Sequence, residues 1–158
     1  MDWSHAVKLP WEILLLFGGG LSLAGAIDAT GLAAWLGGLM TGIGILPVIV
    51  LIVVLAGMVV FLTELTSNTA TAAVFIPVSA ALAGSLDLDP MTLAVPVALA
   101  ASCAFMMPVA TPPNAVVFSA GRLSVVEMCR AGVVMNIIGT AIIAATAIWL
   151  LPLVFPAG

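Results

Sequence analysis

Thr66-Ser67-Asn68-Thr69-Ala70-Thr71-Ala72 decides how this chain is read. These residues stand between two long apolar runs, Gly42–Phe61 and Ala73–Gly84. Inside a bilayer an unpaired N–H or C=O costs several kcal/mol, so lipid-buried backbone stays helical. A knot of hydroxyl and amide side chains at that depth makes sense where backbone and side chains hold something. A second interruption, Ala110-Thr111-Pro112-Pro113-Asn114, breaks a later apolar run. Two broken helices in one small membrane protein point to a solute site near the bilayer midplane.

Composition agrees. Of 158 residues, 64% are hydrophobic and 6% charged, with a mean hydropathy of +1.37. That excludes a soluble globular domain. The apolar stretches are continuous rather than alternating, so the class is an all-α membrane protein, not a barrel. No basic patch exists, which removes nucleic acid as a partner. Cys103 and Cys129 lack a CxxC spacing and read as small apolar residues. Met1–Pro10 is polar and Trp11–Ile27 is too long and Gly-rich for a cleaved leader, so no removable signal is expected.

The layout follows from the same runs. Residues 11–27 form a first transmembrane helix, and 28–40 form an interfacial helix anchored by Trp35. Residues 43–84 form a re-entrant helical hairpin around the polar knot Thr63–Thr71. Its second arm, Ala72–Gly84, falls short of the roughly 20 residues of a span. Asp87-Leu88-Asp89-Pro90 is an exposed turn. Residues 91–120 form a broken transmembrane helix, with a helix over Met91–Met107, the break over Val109–Asn114 and a short continuation. Gly121–Ala131 carries Arg122, Glu127 and Arg130 and lies outside the membrane; residues 132–155 form the last span. Placing the three basic residues Lys8, Arg122 and Arg130 in the cytoplasm requires 43–84 to begin and end outside. A hairpin and two full spans both satisfy that parity; the short second arm favours the hairpin.

Severed helices carry chemistry. The ends near Phe61–Thr63 and Met107–Ala110 offer carbonyl oxygens, which suit a small hard cation. The starts after Ser67-Asn68-Thr69 and after Thr111 offer N–H groups, which favour an anion. Thr111-Pro112 has the pattern of an N-cap followed by a first-turn proline. One locus thereby serves a cation-coupled anion carrier. The plainer alternative stays open: Asn68 and Asn114 flank helix starts, where capping alone accounts for them. Thr30, Thr41, Thr92, Thr140 and Thr146 read as hydroxyls bonding back to the preceding turn. Asn136 reads as an interhelical hydrogen-bonding residue, and Gly18-Gly19-Gly20 as close helix packing. Glu64 is the one acid deep in a candidate membrane element. It is either functional, turned toward a water-filled vestibule, or paired with a segment outside the chain. No Ser–His, His–His or Asp–Asp pair stands in the membrane, so the protein is not expected to be an enzyme.

Three stretches carry a family resemblance: LLLFGGGLSLAGAIDATGLAAWLG at 14–37, FLTELTSNTATAAVFIPV at 61–78 and ASCAFMMPVATPPNAVVFSAG at 101–121. The chain resembles the C-terminal part of the second inverted repeat in the divalent anion:sodium symporter family, the sodium/dicarboxylate cotransporters. The resemblance implies secondary active transport, Na+-coupled symport of a C4 dicarboxylate such as succinate or a related divalent anion. It implies that Ser67, Asn68, Thr69, Thr111 and Pro112 meet a substrate carboxylate, and that Thr63, Thr66, Asn68 and Ala110 build a sodium site; Glu64 and Asn114 are further candidates. A multi-pass integral protein of a bacterial-type inner membrane is implied. Such proteins carry two Ser-Asn-Thr hairpins and this chain has one, so a complementary transporter half, a homodimer or both are expected as partners. The rival expectations are a non-transporting fragment or split subunit, and a permease for sulfate or another oxyanion.

Overall fold

The computed structural model describes residues 3, 11–32, 35 and 47–155. All regular structure among them is helical. Helix α1 runs over Trp11–Ala29, α2 over Val48–Thr63, α3 over Asn68–Ser85, α4 over Met91–Ala100 and α5 over Pro112–Ser119. Helix α6, Val125–Ala145, passes through a π-helical turn, Thr146–Leu150, into α7, Leu151–Val154. Among the described residues, two stretches are long and apolar enough to cross a membrane: Asn68–Ser85 and Val125–Val154. Most of the interfacial helix expected over 28–40 lies outside the described residues.

Local chemistry explains the boundaries. Ser67 is the N-cap of α3, its hydroxyl accepting the Ala70 N–H, so the helix begins at Asn68 rather than at the first apolar residue. The second arm is therefore 18 residues long, and its expected brevity is not observed. The α3 C-terminus is a Schellman turn: Leu88 N–H donates to the Ala83 carbonyl at 3.0 Å and Asp87 N–H to Gly84 at 3.3 Å. Ser124 and Glu127 form a capping box that opens α6. The last helix thus starts at Val125, a little before the span expected over 132–155, because its first turn is stabilised by its own side chains.

The two arms of the 43–84 segment lean on different neighbours. Helix α2 packs on α6 and α4, and α3 on α1 and α4. Ala56, Val59, Val60, Val97, Ala100, Ala101 and Ile143 form one buried cluster; Leu51, Ile52, Ala83, Leu93, Ala144 and Ala147 form another. Lipid tails are as apolar as these side chains, so close packing rather than water exclusion holds such helices together, and six of these thirteen residues are alanine. Of the three glycines at 18–20, only Gly20 is pressed against a neighbour, the Ala73 carbonyl of α3. Pro77 lacks the N–H that would bond that carbonyl within the helix.

Helix α4 departs most from expectation. It ends at Ala100, not at Met107, and residues 101–111 form turns and irregular backbone before α5 begins. The break is longer than the sequence pattern indicates, and within it the N–H groups of residues 105–107 are bonded from outside the helix.

Candidate functional site

Glu64 supplies those bonds. It follows α2 directly and is buried. Its Oε1 accepts the N–H of Phe105 at 2.7 Å and of Met106 at 2.9 Å; its Oε2 accepts Met106 at 3.0 Å and Met107 at 3.0 Å. Asn136 of α6 donates its Nδ2 proton to Glu64 Oε1 at 2.8 Å. One carboxylate thus ties the first break to the second and both to α6. Glu64 is paired within the chain, with the three-residue run 105–107. Asn136 is the interhelical donor the sequence pointed to, with Glu64 as its acceptor.

Other polar side chains extend the tie. Thr63 is fully buried; its Oγ1 lies 2.6 Å from Asn68 Oδ1 and 3.0 Å from the Ala101 carbonyl. Thr66 Oγ1 donates to the Leu62 carbonyl at 2.9 Å or bonds Thr71 Oγ1 at 2.7 Å. Asn114 spans the second break, its Nδ2 donating to the carbonyls of Ala104 at 2.9 Å and Met107 at 3.0 Å. Asn114 therefore holds backbone together across the break, whereas the cap of α5 is Thr111. Thr30, Thr140 and Thr146 bond back to the preceding turn as expected.

The outcome is one cavity of about 470 Å³, lined by residues 64–69 from one break and 109–112 from the other. Eight of the ten site residues taken from the sequence line it: Glu64, Thr66, Ser67, Asn68, Thr69, Ala110, Thr111 and Pro112. Thr63 and Asn114 do not; Thr63 braces Asn68 from behind. Leu65 and Val109 stand on the rim, 77% and 80% exposed.

Two details alter the expected electrostatics. Pro112 and Pro113 open α5, and neither has an N–H; the Asn114 N–H is taken by Thr111 Oγ1 at 3.3 Å. The start of α5 therefore offers no free first-turn donor, and the start of α3 is the better anion-facing end. The Met107 carbonyl is likewise occupied, accepting Ala110 N–H at 3.1 Å besides Asn114. Gly132 is a residue whose role the sequence did not disclose. A Cβ there would lie 2.6 Å from the Phe105 carbonyl carbon, so α6 touches the break through bare backbone. A glycine at the start of an apolar span was the only signal available.

Residues 1–155 match the family described as the sodium:sulfate symporter transmembrane region. The chain belongs to this family. It is an integral membrane protein, as that family's members are. It is 44% identical over 152 residues to the sodium-dependent dicarboxylate transporter SdcS of Staphylococcus saprophyticus, covering 96% of this chain and 29% of that protein. It is 46% identical over 155 residues to solute carrier family 13 member 2 of Homo sapiens, covering 97% of this chain and 26% of that protein. SdcS of Staphylococcus aureus is 43% identical over 154 residues, with 98% and 30% covered. The chain thus spans less than a third of each of these relatives' length. This sodium:sulfate symporter family consists of transporters, not enzymes.

Proposed function

We propose that this chain forms one half of the solute site of a sodium-coupled symporter for C4 dicarboxylates such as succinate. The observation that carries the reading is the single cavity shared by residues 64–69 and 109–112. Its oxygen-rich wall, with Thr66, Asn68 and the Ala110 backbone, suits Na+ as the co-transported ion; Thr63 reaches that ion by holding Asn68. The start of α3, with Ser67, Asn68 and Thr69, faces a carboxylate. Thr111 and Pro112 close the opposite wall, and the names of the two staphylococcal relatives support both the ion and the anion.

In this reading residues 43–84 are a re-entrant hairpin, 28–40 lie at the interface, and 91–120 form a broken span within a single transmembrane unit. The second half of the cavity comes from a complementary repeat, because the relatives are more than three times as long (a homodimer is the other source). A second reading, sulfate in place of dicarboxylate, is favoured by the family's description.

The test is uptake by a full-length family member carrying this segment, reconstituted in vesicles. Asn68→Ala and Thr69→Ala abolish Na+-dependent uptake of labelled succinate. Uptake retained in both variants overturns the site. Competition by excess sulfate, with succinate itself carried poorly, replaces the anion and keeps the cavity.

A further inference from the structure

Asn136 is fully buried near the middle of α6. Its Nδ2 bonds Glu64 Oε1, while its Oδ1 has no partner among the described residues. A buried amide left half-satisfied is costly in a low-dielectric interior, and an apolar side chain of similar volume packs an interface without that cost. Adhesion between helices therefore does not account for it. Its one bond goes to the carboxylate that joins the two breaks. Glu64 has several side-chain torsions, and its carboxylate must present both oxygens to residues 105–107 at once. A donor fixed on a long helix removes that freedom.

We propose that Asn136 is a positioning residue for the two-loop cavity: by locking the Glu64 carboxylate onto the N–H groups of 105–107, it sets the separation of loops 64–69 and 109–112. Glu64 begins the first loop, and the backbone it grips leads within two residues into the second. Asn136 itself does not line the cavity. The functional meaning of the proposal rests on the solute-site reading above; its geometric content does not.

The test measures loop separation directly. The full chain, with Cys103 and Cys129 replaced by Ala, carries spin labels at L65C and V109C on the cavity rim and is reconstituted in lipid nanodiscs. Electron paramagnetic resonance gives the label-to-label distance distribution. The reference chain shows one narrow distance. N136L loses it and shows a broad or divided distribution. T140V, one turn along the same helix, where the lost hydroxyl donates to the Asn136 carbonyl at 2.8 Å, keeps the narrow distance. If N136L does not reach the membrane, N136A, which removes the donor without adding bulk, carries the same expectation. A narrow, unshifted distance in N136L or N136A overturns the proposal, as does equal broadening in T140V. The reference chain is also measured in sodium chloride and in choline chloride. An ion-insensitive reference distance, with the narrow distance still lost in N136L, counts against the sodium reading and upholds the positioning role.

Discussion

Gly132 of α6 meets the backbone of Met106 without an intervening side chain, so the helix and the irregular segment touch main chain to main chain. No other residue type fits there unchanged, because the nearest atoms are backbone and cannot rotate away.

Gly132→Ala therefore displaces the segment that Glu64 holds. Overpacking of this kind costs about 1–3 kcal/mol. Thermal unfolding of the chain in detergent should show a lowered midpoint. Gly57→Ala is the control, since a Cβ there meets only the Thr140 methyl group at 3.9 Å and should leave the midpoint near its original value. Equal midpoints for Gly132→Ala and the parent chain would contradict the close approach.

Glu64→Ala strands the half-buried N–H donors of Phe105, Met106 and Met107 and the fully buried Asn136 amide. Each buried donor left unpaired costs about 1–3 kcal/mol. The variant is expected to be less stable than Gly132→Ala. Glu64→Gln keeps one acceptor oxygen and turns an NH2 group toward backbone N–H groups, so it should fall between the parent and Glu64→Ala. Hydrogen exchange at residues 105–107 checks the cause: those amides should exchange faster in both Glu64 variants, in the same rank order. Unchanged protection at 105–107 would show that the carboxylate is not their partner.

Asp87 occupies the left-handed position of the Schellman turn, with φ of 55°. That conformation costs an L-residue about 1–2 kcal/mol, least for Asp, Asn and Gly. Asp87→Val should lower the unfolding midpoint by an amount matching about 1 kcal/mol, whereas Asp87→Gly should not lower it. A Val variant as stable as the Gly variant would rule out this backbone geometry as the constraint.

Much of the architecture was legible before any coordinates. Hydrocarbon offers no hydrogen bonds, so Thr66–Thr71 and Thr111–Asn114 had to mark interrupted helices wherever they packed. Ser67, Thr111 and Ser124 act within three residues of themselves, and caps of that range are visible in a linear string. The meeting of the two breaks was inferred from helix-end electrostatics, and they do line one cavity.

The limits of α4 and the role of Glu64 were not legible in the same way. Met91–Met107 is apolar apart from Thr92 and Ser102, and spacing alone continues the helix to Pro108. Beyond Ala100 the backbone leaves the helix, and the N–H of Phe105 goes instead to a carboxylate 41 positions earlier in the chain. Asn136 reaches the same carboxylate across 72 positions. Periodicity and capping are local properties and read directly from residue order. A bond between distant groups exists only once packing has brought them within 3 Å or so, and that separation is written in three dimensions, not one.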